Sequence, residues 1–310
     1  MNLQTLLGNT TIKDFFDDYW TKNELHISGD ENKFENILTI NEFVENLKKS
    51  IYNIAVPNIE LIKDGIIIPI EEYTASINPR KSGFENRYSF SKIVDLCSDG
   101  ATLTYKNMQY FSSSLSDLHS AISTSFQERV NINSYLSQPG GSFGYNTHYD
   151  THEIFALQIA GEKLWKIYDF SLMYPLNIPE HKSKLLEPPQ NEPKEYSMKQ
   201  GDVLYIPRGK WHSAIAKDKS SLHLTIGVHV LKRLDFINWI LTQDEFFRQN
   251  FRKEPIGLNK EIYLLDDEYI HTIINKMSEL ITNNMSQCLI DFYKSALKKQ
   301  EKNQINLPFI

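Results

Sequence analysis

Hydrophobic and polar positions along the chain fall into three regimes. In the first, residues 1–128, short helical and strand-like patterns are mixed. Phe15, Phe16, Tyr19 and Trp20 recur at helical spacing and predict an amphipathic helix. Ile37-Leu38-Thr39-Ile40 leads into Phe43, Val44 and Leu47, which predicts a second helix with Asn41 as its N-cap and Glu42 and Glu45 in the first turn. A third helix is predicted from Ser116 to Glu128.

The second regime, 129–230, has the period of β structure. Runs over Glu153–Ile159, Lys163–Tyr168, Val203–Ile206 and Leu222–Val230 are rich in β-branched and aromatic residues, and Gly and Pro separate them. Many short strands without intervening helices predict a barrel or sandwich rather than an α/β sheet. Five prolines between Tyr174 and Pro193 mark a long loop. The third regime, 231–310, is helical. Ile270, Ile273, Ile274, Met277, Leu280, Ile281, Leu289, Phe292, Tyr293 and Ala296 form a broad apolar stripe, with Lys298, Lys299 and Lys302 at its far end. Such a stripe packs into a core or forms a homodimer face, and the pattern leaves both open.

Composition narrows the function classes. The chain has 310 residues, 33 basic and 39 acidic, giving a net charge of -6, which argues against a protein built to grip nucleic-acid backbone. Cys97 and Cys288 are its two cysteines, too few for a disulfide framework or a Cys-x-x-Cys zinc site. The N-terminus lacks the pattern of a signal peptide, and no apolar run approaches the roughly 20 residues of a membrane span. The expectation is a cytoplasmic protein with no membrane partner.

The candidate chemistry begins at His148-Tyr149-Asp150. On a strand, positions i and i+2 share a face, so both side chains can meet one ion. A third ligand is available in His212, which follows Gly201-Asp202-Val203-Leu204-Tyr205-Ile206-Pro207-Arg208-Gly209, a turn, a strand and a tight turn. Two imidazoles and one carboxylate leave three metal positions open, the arrangement of non-haem Fe(II) oxygenases. A zinc or manganese cupin satisfies the same spacing. Lys163 shares a strand face with Trp165 and Ile167, and either snorkels to solvent or is buried against an anion. In Leu222–Val230 the apolar positions alternate with His223, Thr225, Gly227 and His229. Solvent exposure is the simpler expectation for that polar face.

Five blocks in order, Asn133–Leu136, Gly144–Asp150, Ile154–Tyr168, Gly201–Gly209 with His212, and Ser221–Gly227, resemble the JmjC group of Fe(II)- and 2-oxoglutarate-dependent oxygenases. Within that group the likeness is to the ribosomal oxygenases, or cupin-4 proteins. The resemblance implies a mainly β double-stranded β-helix (jelly-roll, cupin) over 129–230. Residues 1–128 would supply flanking α/β elements, and 231–310 a helical dimerisation region in which Phe251-Arg252…Pro255 is similar to a family motif. Roughly 80 residues follow His229, tight for the winged helix that ribosomal oxygenases carry there, so that domain is expected to be missing.

The resemblance further implies Fe(II) on His148, Asp150 and His212, the distal carboxylate of 2-oxoglutarate on Lys163, and Asn133, Tyr135 and Thr225 lining the cosubstrate pocket. The implied activity is hydroxylation of a side chain in a protein or peptide, with O2 consumed and succinate and CO2 formed. A ribosomal protein and a peptide precursor are both candidate substrates. N-methyl-lysine demethylation is the alternative within the class, and a non-catalytic metal-binding cupin scaffold is the alternative outside it.

Overall fold

The computed structural model describes residues 1–53, 59–76, 86–110, 112–139 and 144–243, and in the last part 245, 249, 271–272, 274–276, 278–279 and 286–296. Contacts divide the chain into two compact units, Met1–His229 and Val230–Ile310.

The strands of the first unit are β1 (Leu25–Ile27), β2 (Ile59–Lys63), β3 (Ile66–Ile67), β4 (Thr74–Ser76), β5 (Asn86–Tyr88), β6 (Thr102–Tyr105) and β7 (Arg129–Ser137). They continue with β8 (Glu153–Ala160), β9 (Lys163–Phe170), β10 (Lys194–Met198), β11 (Val203–Ile206), β12 (Lys210–Ala216) and β13 (Ser221–His229). Eight form one antiparallel sheet in the order β1-β11-β8-β13-β7-β6-β2-β3, and β10-β9-β12 form a second. β4 and β5 pair separately.

Alternation along the strands explains the layering, because successive side chains point to opposite faces. From the large sheet, Ile154, Ala156, Leu204 and Ile206 meet Trp165, Ile167 and Met198 of the small one. The other face of the large sheet presents Phe155, Leu157, Tyr205, Leu224 and Ile226 to a core that includes Leu6, Phe15, Phe43, Leu118 and Ile122 from the helical segments. β8 is therefore buried on both faces, which is why it reads as a continuous apolar run. Two facing antiparallel sheets make the expected jelly roll.

Three local expectations are corrected. The helix of residues 40–53 is capped by Thr39 and not by Asn41: Glu42 N–H donates to Thr39 Oγ1 while Thr39 N–H donates to Glu42 Oε2, at 3.2 and 2.8 Å. That reciprocal pair satisfies two orphan donors at once, which Asn41 inside the first turn cannot do. The aromatic segment at Phe15–Tyr19 is a π-helical turn following a short helix at Ile12–Asp14. It drives the Phe15 ring against Phe155 and Tyr205. The polar face of β13 is buried: His223 is 3% and Thr225 8% exposed, with Trp165 and Lys163 of the small sheet packed against His223. The predicted third helix spans Ser113–Phe126, and the proline-rich loop before β10 contains two short 3-10 turns, Pro179–His181 and Ser183–Leu185.

In the second unit, the helix Arg233–Gln243 buries Phe236 and Ile240 with Phe292, against Leu231, Trp239 and Cys288. Ile274, Leu289 and Tyr293 of the predicted stripe are exposed. Ile270, Ile273, Met277, Leu280, Ile281, the lysines at 298, 299 and 302, and the segment Phe251–Pro255 lie outside the described residues. Among those described, no helix is long and apolar enough to cross a membrane.

Candidate metal centre and its cavity

Backbone pairing places the first two elements of the site. His148 is not on a strand; it forms a single antiparallel bridge with His212 of β12. Each accepts the other's N–H, His148 N to His212 O at 3.0 Å and His212 N to His148 O at 2.7 Å. Gly209, at φ +88°, closes the turn between β11 and β12 and donates its N–H to Asp150 O at 2.9 Å. A Cβ there would lie 2.7 Å from Leu172 O, so the turn needs glycine. His148 and Asp150 do converge, but the i, i+2 argument names the wrong carrier: a loop segment pinned by β12 and Gly209, not a strand, brings them together.

The three side chains converge. Asp150 Oδ2 lies 3.9 Å from His148 Nε2 and 3.5 Å from His212 Nε2, and one donor atom from each residue falls within 4.8 Å of the others. Both imidazoles are oriented by their far nitrogens. His148 Nδ1 donates to Asn146 O at 2.7 Å, and His212 Nδ1 donates to Lys210 O at 3.1 Å. With each ring proton on Nδ1, the Nε2 lone pairs face the carboxylate, as metal-ligating histidines require. Burial, then the neighbouring His148, pushes His212 down to about 4, so the ring is neutral near pH 7. Burial acts to raise the Asp150 carboxyl, but the imidazoles of His152, His148 and His212 outweigh it and hold it below the ordinary range. This donor set, two imidazoles and one carboxylate, fits a divalent transition metal with open positions.

The triad lines a cavity of about 290 Å³. Lys163, Asn133, Tyr135 and Thr225 line the same cavity, so all seven residues singled out in the sequence come together there. Lys163 is 3% exposed and burial pushes its amine down to about 7. Its Nζ donates to Ser137 Oγ at 3.0 Å.

Sequence reasoning missed part of the wall. His223 stacks on Tyr135 with ring centroids 4.8 Å apart and meets Trp165 edge-on at 5.3 Å. Tyr145 packs beside His148 and donates to Glu60 Oε1 at 2.7 Å; Lys106 pairs with the other oxygen of Glu60 at 2.9 Å. His152 lines the cavity and stacks on His229 at 4.6 Å. For His223, its place two residues before Thr225 on one strand face was the available signal. Glu60 and Lys106 carried none, because only the pairing of β2 with β6 brings Glu60 within reach of Lys106 and Tyr145.

Residues 107–236 match the JmjC-domain family. A Dictyostelium discoideum protein, "Bifunctional lysine-specific demethylase and histidyl-hydroxylase NO66", is 29% identical over 239 residues, covering 74% of this chain and 43% of that protein. The chain thus spans less than half the length of this relative. The crystal structure of the Escherichia coli ribosomal oxygenase YcfD aligns with a TM-score of 0.56 at 15% identity, covering 93% of this chain and 70% of that one. A structure of YcfD in complex with cobalt and 2-oxoglutarate aligns with a TM-score of 0.51 at 16% identity, covering 91% and 70%. At that identity these structures bear on the fold alone. Residues 107–236 are thus similar to a JmjC domain, and the chain is similar in sequence to NO66 and in fold to YcfD.

Proposed function

We propose that this chain is an Fe(II)- and 2-oxoglutarate-dependent oxygenase that hydroxylates a side chain of a protein or peptide. The observation that carries this is one cavity lined by both a His-Asp-His donor set and a buried amine, Lys163. Iron held by His148 Nε2, Asp150 Oδ2 and His212 Nε2 would supply the activation of O2 that couples decarboxylation of 2-oxoglutarate, to succinate and CO2, with oxygen insertion into a C–H bond.

The chain's own residues have three tasks. Asp150 supplies the negative charge that a divalent cation needs, and the Asn146 and Lys210 carbonyls hold both imidazoles in the ligating tautomer. Lys163 fixes the direction of the cosubstrate by pairing with its distal carboxylate, and Asn133, Tyr135 and Thr225 line its path. The facing sheets keep bulk water away, since the apolar walls Ile154 and Trp165 are 3% and 4% exposed.

The name of the Dictyostelium relative joins two activities, so demethylation of N-methyl-lysine is the second reading. It uses the same site and differs in product, because a hydroxylated N-methyl group releases formaldehyde. The test is incubation with Fe(II), 2-oxoglutarate and a digest-ready ribosomal or total cell extract. Succinate formation with peptides that gain one oxygen supports hydroxylation. Formaldehyde with loss of methyl groups would replace it with demethylation, and no succinate with any extract would leave a scaffold. Dimerisation through the helical unit belongs to the same proposal, and light scattering at a monomer mass would remove it.

A further inference from the structure

Lys163 is a buried amine without a counter-ion: among the described residues no carboxylate pairs with it, and burial is what governs its protonation. Its Nζ donates to Ser137 Oγ at 3.0 Å and faces His223 Nδ1 at 3.4 Å. An ammonium group has donors only, so the nitrogen facing it carries a lone pair, and His223 is neutral with its proton on Nε2. The ring is held there by the Tyr135 stack on one side and the Trp165 edge on another.

The groups around Nζ are few. From β13 comes His223, and from β7 come the Ser137 hydroxyl and Tyr135, whose phenol is raised by burial and stays neutral. The residues paired with Lys163 across the small sheet, Met198 on β10 and Ala216 on β12, bring no charge. Among the described lining residues the one acid is Asp150, a member of the triad. Burial, then the Lys163 charge, pushes His223 well below the ordinary imidazole range.

We propose that Lys163 and His223 form a proton-coupled carboxylate receptor, in which the arriving anion draws one proton from solvent onto the amine and His223, as a positioning residue, holds Nζ while it does so. This rests on the reading of the cavity as the site of a 2-oxo dicarboxylate. The balance is simple: amine, proton and carboxylate give an ammonium–carboxylate pair, with one N–H bond formed and none broken in the ligand. With the amine at about 7 in the empty site, roughly half the molecules lack that proton at neutral pH. A bound anion supplies the missing counter-charge and restores the cation. Linkage fixes the sign. The receptor is fully charged below the empty-site value, and above it the apparent affinity falls about tenfold per pH unit, until the bound complex itself deprotonates.

The test is calorimetric titration of 2-oxoglutarate into the full chain loaded with Zn(II), in two buffers of different ionisation heat, from about pH 6 to about pH 9. The expected result is uptake of close to one proton at about pH 8 and an affinity that declines with pH, both lost in Lys163→Met. Binding that takes up no proton and is flat with pH overturns the proposal and leaves the cosubstrate site standing. No binding at all overturns both.

His223 is tested by two substitutions. His223→Leu removes the acceptor and should weaken 2-oxoglutarate about tenfold with Zn(II) affinity unchanged. His223→Asn, which can place an oxygen near the Nδ1 position, should recover most of that loss together with the pH profile. If both variants bind 2-oxoglutarate like the wild type at every pH, or if Asn fails to recover what Leu loses, His223 packs the cavity wall and positions nothing.

Discussion

Replacing Lys163 with methionine keeps most of the stem's volume and removes the amine. In the ligand-free chain the buried cation is a cost. Burial moves the amine from its ordinary 10.5 to about 7, equivalent to about 4 kcal/mol at pH 7. The hydrogen bonds to Ser137 and His223 return about 1 kcal/mol each, so the variant should be more stable by about 2 kcal/mol. The unfolded chain binds the extra proton between about pH 7 and 10.5, so wild-type stability climbs with pH across that window and the variant's does not. Binding should move the other way. Loss of a buried charge pair with the ligand costs about 2–4 kcal/mol, or about 30- to 1,000-fold in 2-oxoglutarate affinity. Urea unfolding at two pH values and calorimetric binding measure both. A variant that is less stable and binds 2-oxoglutarate unchanged would refute the reasoning, because Nζ would then be neither an unpaired buried cation nor an anchor.

Three other substitutions follow from the same geometry. Asp150→Ala should abolish succinate formation while circular dichroism and unfolding stay close to wild type; undiminished turnover would remove the metal assignment. Glu24 is buried, which raises its carboxyl, but hydrogen bonds from Lys194 and Lys210 hold it down to about 2. Its contribution, on the order of 3 kcal/mol, is present above about pH 4.5 and lost as pH falls through about 2, so Glu24→Gln should flatten acid unfolding in that range. An unchanged acid profile would show the cluster to be idle. Gly227→Ala places a Cβ 2.7 Å from both Asn131 Oδ1 and His152 Cδ2. It should cost about 1–3 kcal/mol by thermal unfolding; a cost near zero would mean that the His152–His229 stack gives way freely.

What the sequence made legible is what short-range pattern encodes. The β-rich span from 129 to 230 alternates as strands must, and His148, Asp150, Lys163 and His212 stand out because their residue types are informative at their spacings. The remainder depends on pairing between distant segments. β2 and β6 extend the large sheet through β7, and nothing local in Ile59–Lys63 says that it will bring Glu60 to the Tyr145 hydroxyl. The buried polar face of β13 misleads for a related reason: alternation states which residues share a face, while only the small sheet packing on His223 decides whether that face meets water. Thr39 against Asn41 is a smaller case, where two capping residues compete and the reciprocal bond to Glu42 decides.

The cavity also explains why a stable fold retains an unfavourable group. Lys163 is buried beside His223, which stacks on Tyr135 and meets Trp165, and an apolar side chain would pack there at lower cost. The same desolvation that penalises the empty site strengthens an ammonium–carboxylate pair once formed. In the proposed function, stability is given up here for recognition of the cosubstrate.

The most direct test of the central claim is visible absorption during anaerobic addition of Fe(II) and then 2-oxoglutarate to the full chain. The account predicts a new metal-to-ligand charge-transfer band that requires both additions and is absent in Asp150→Ala. Bound iron with no band when 2-oxoglutarate is added would contradict it, since the open triad and the cosubstrate would then not share one site.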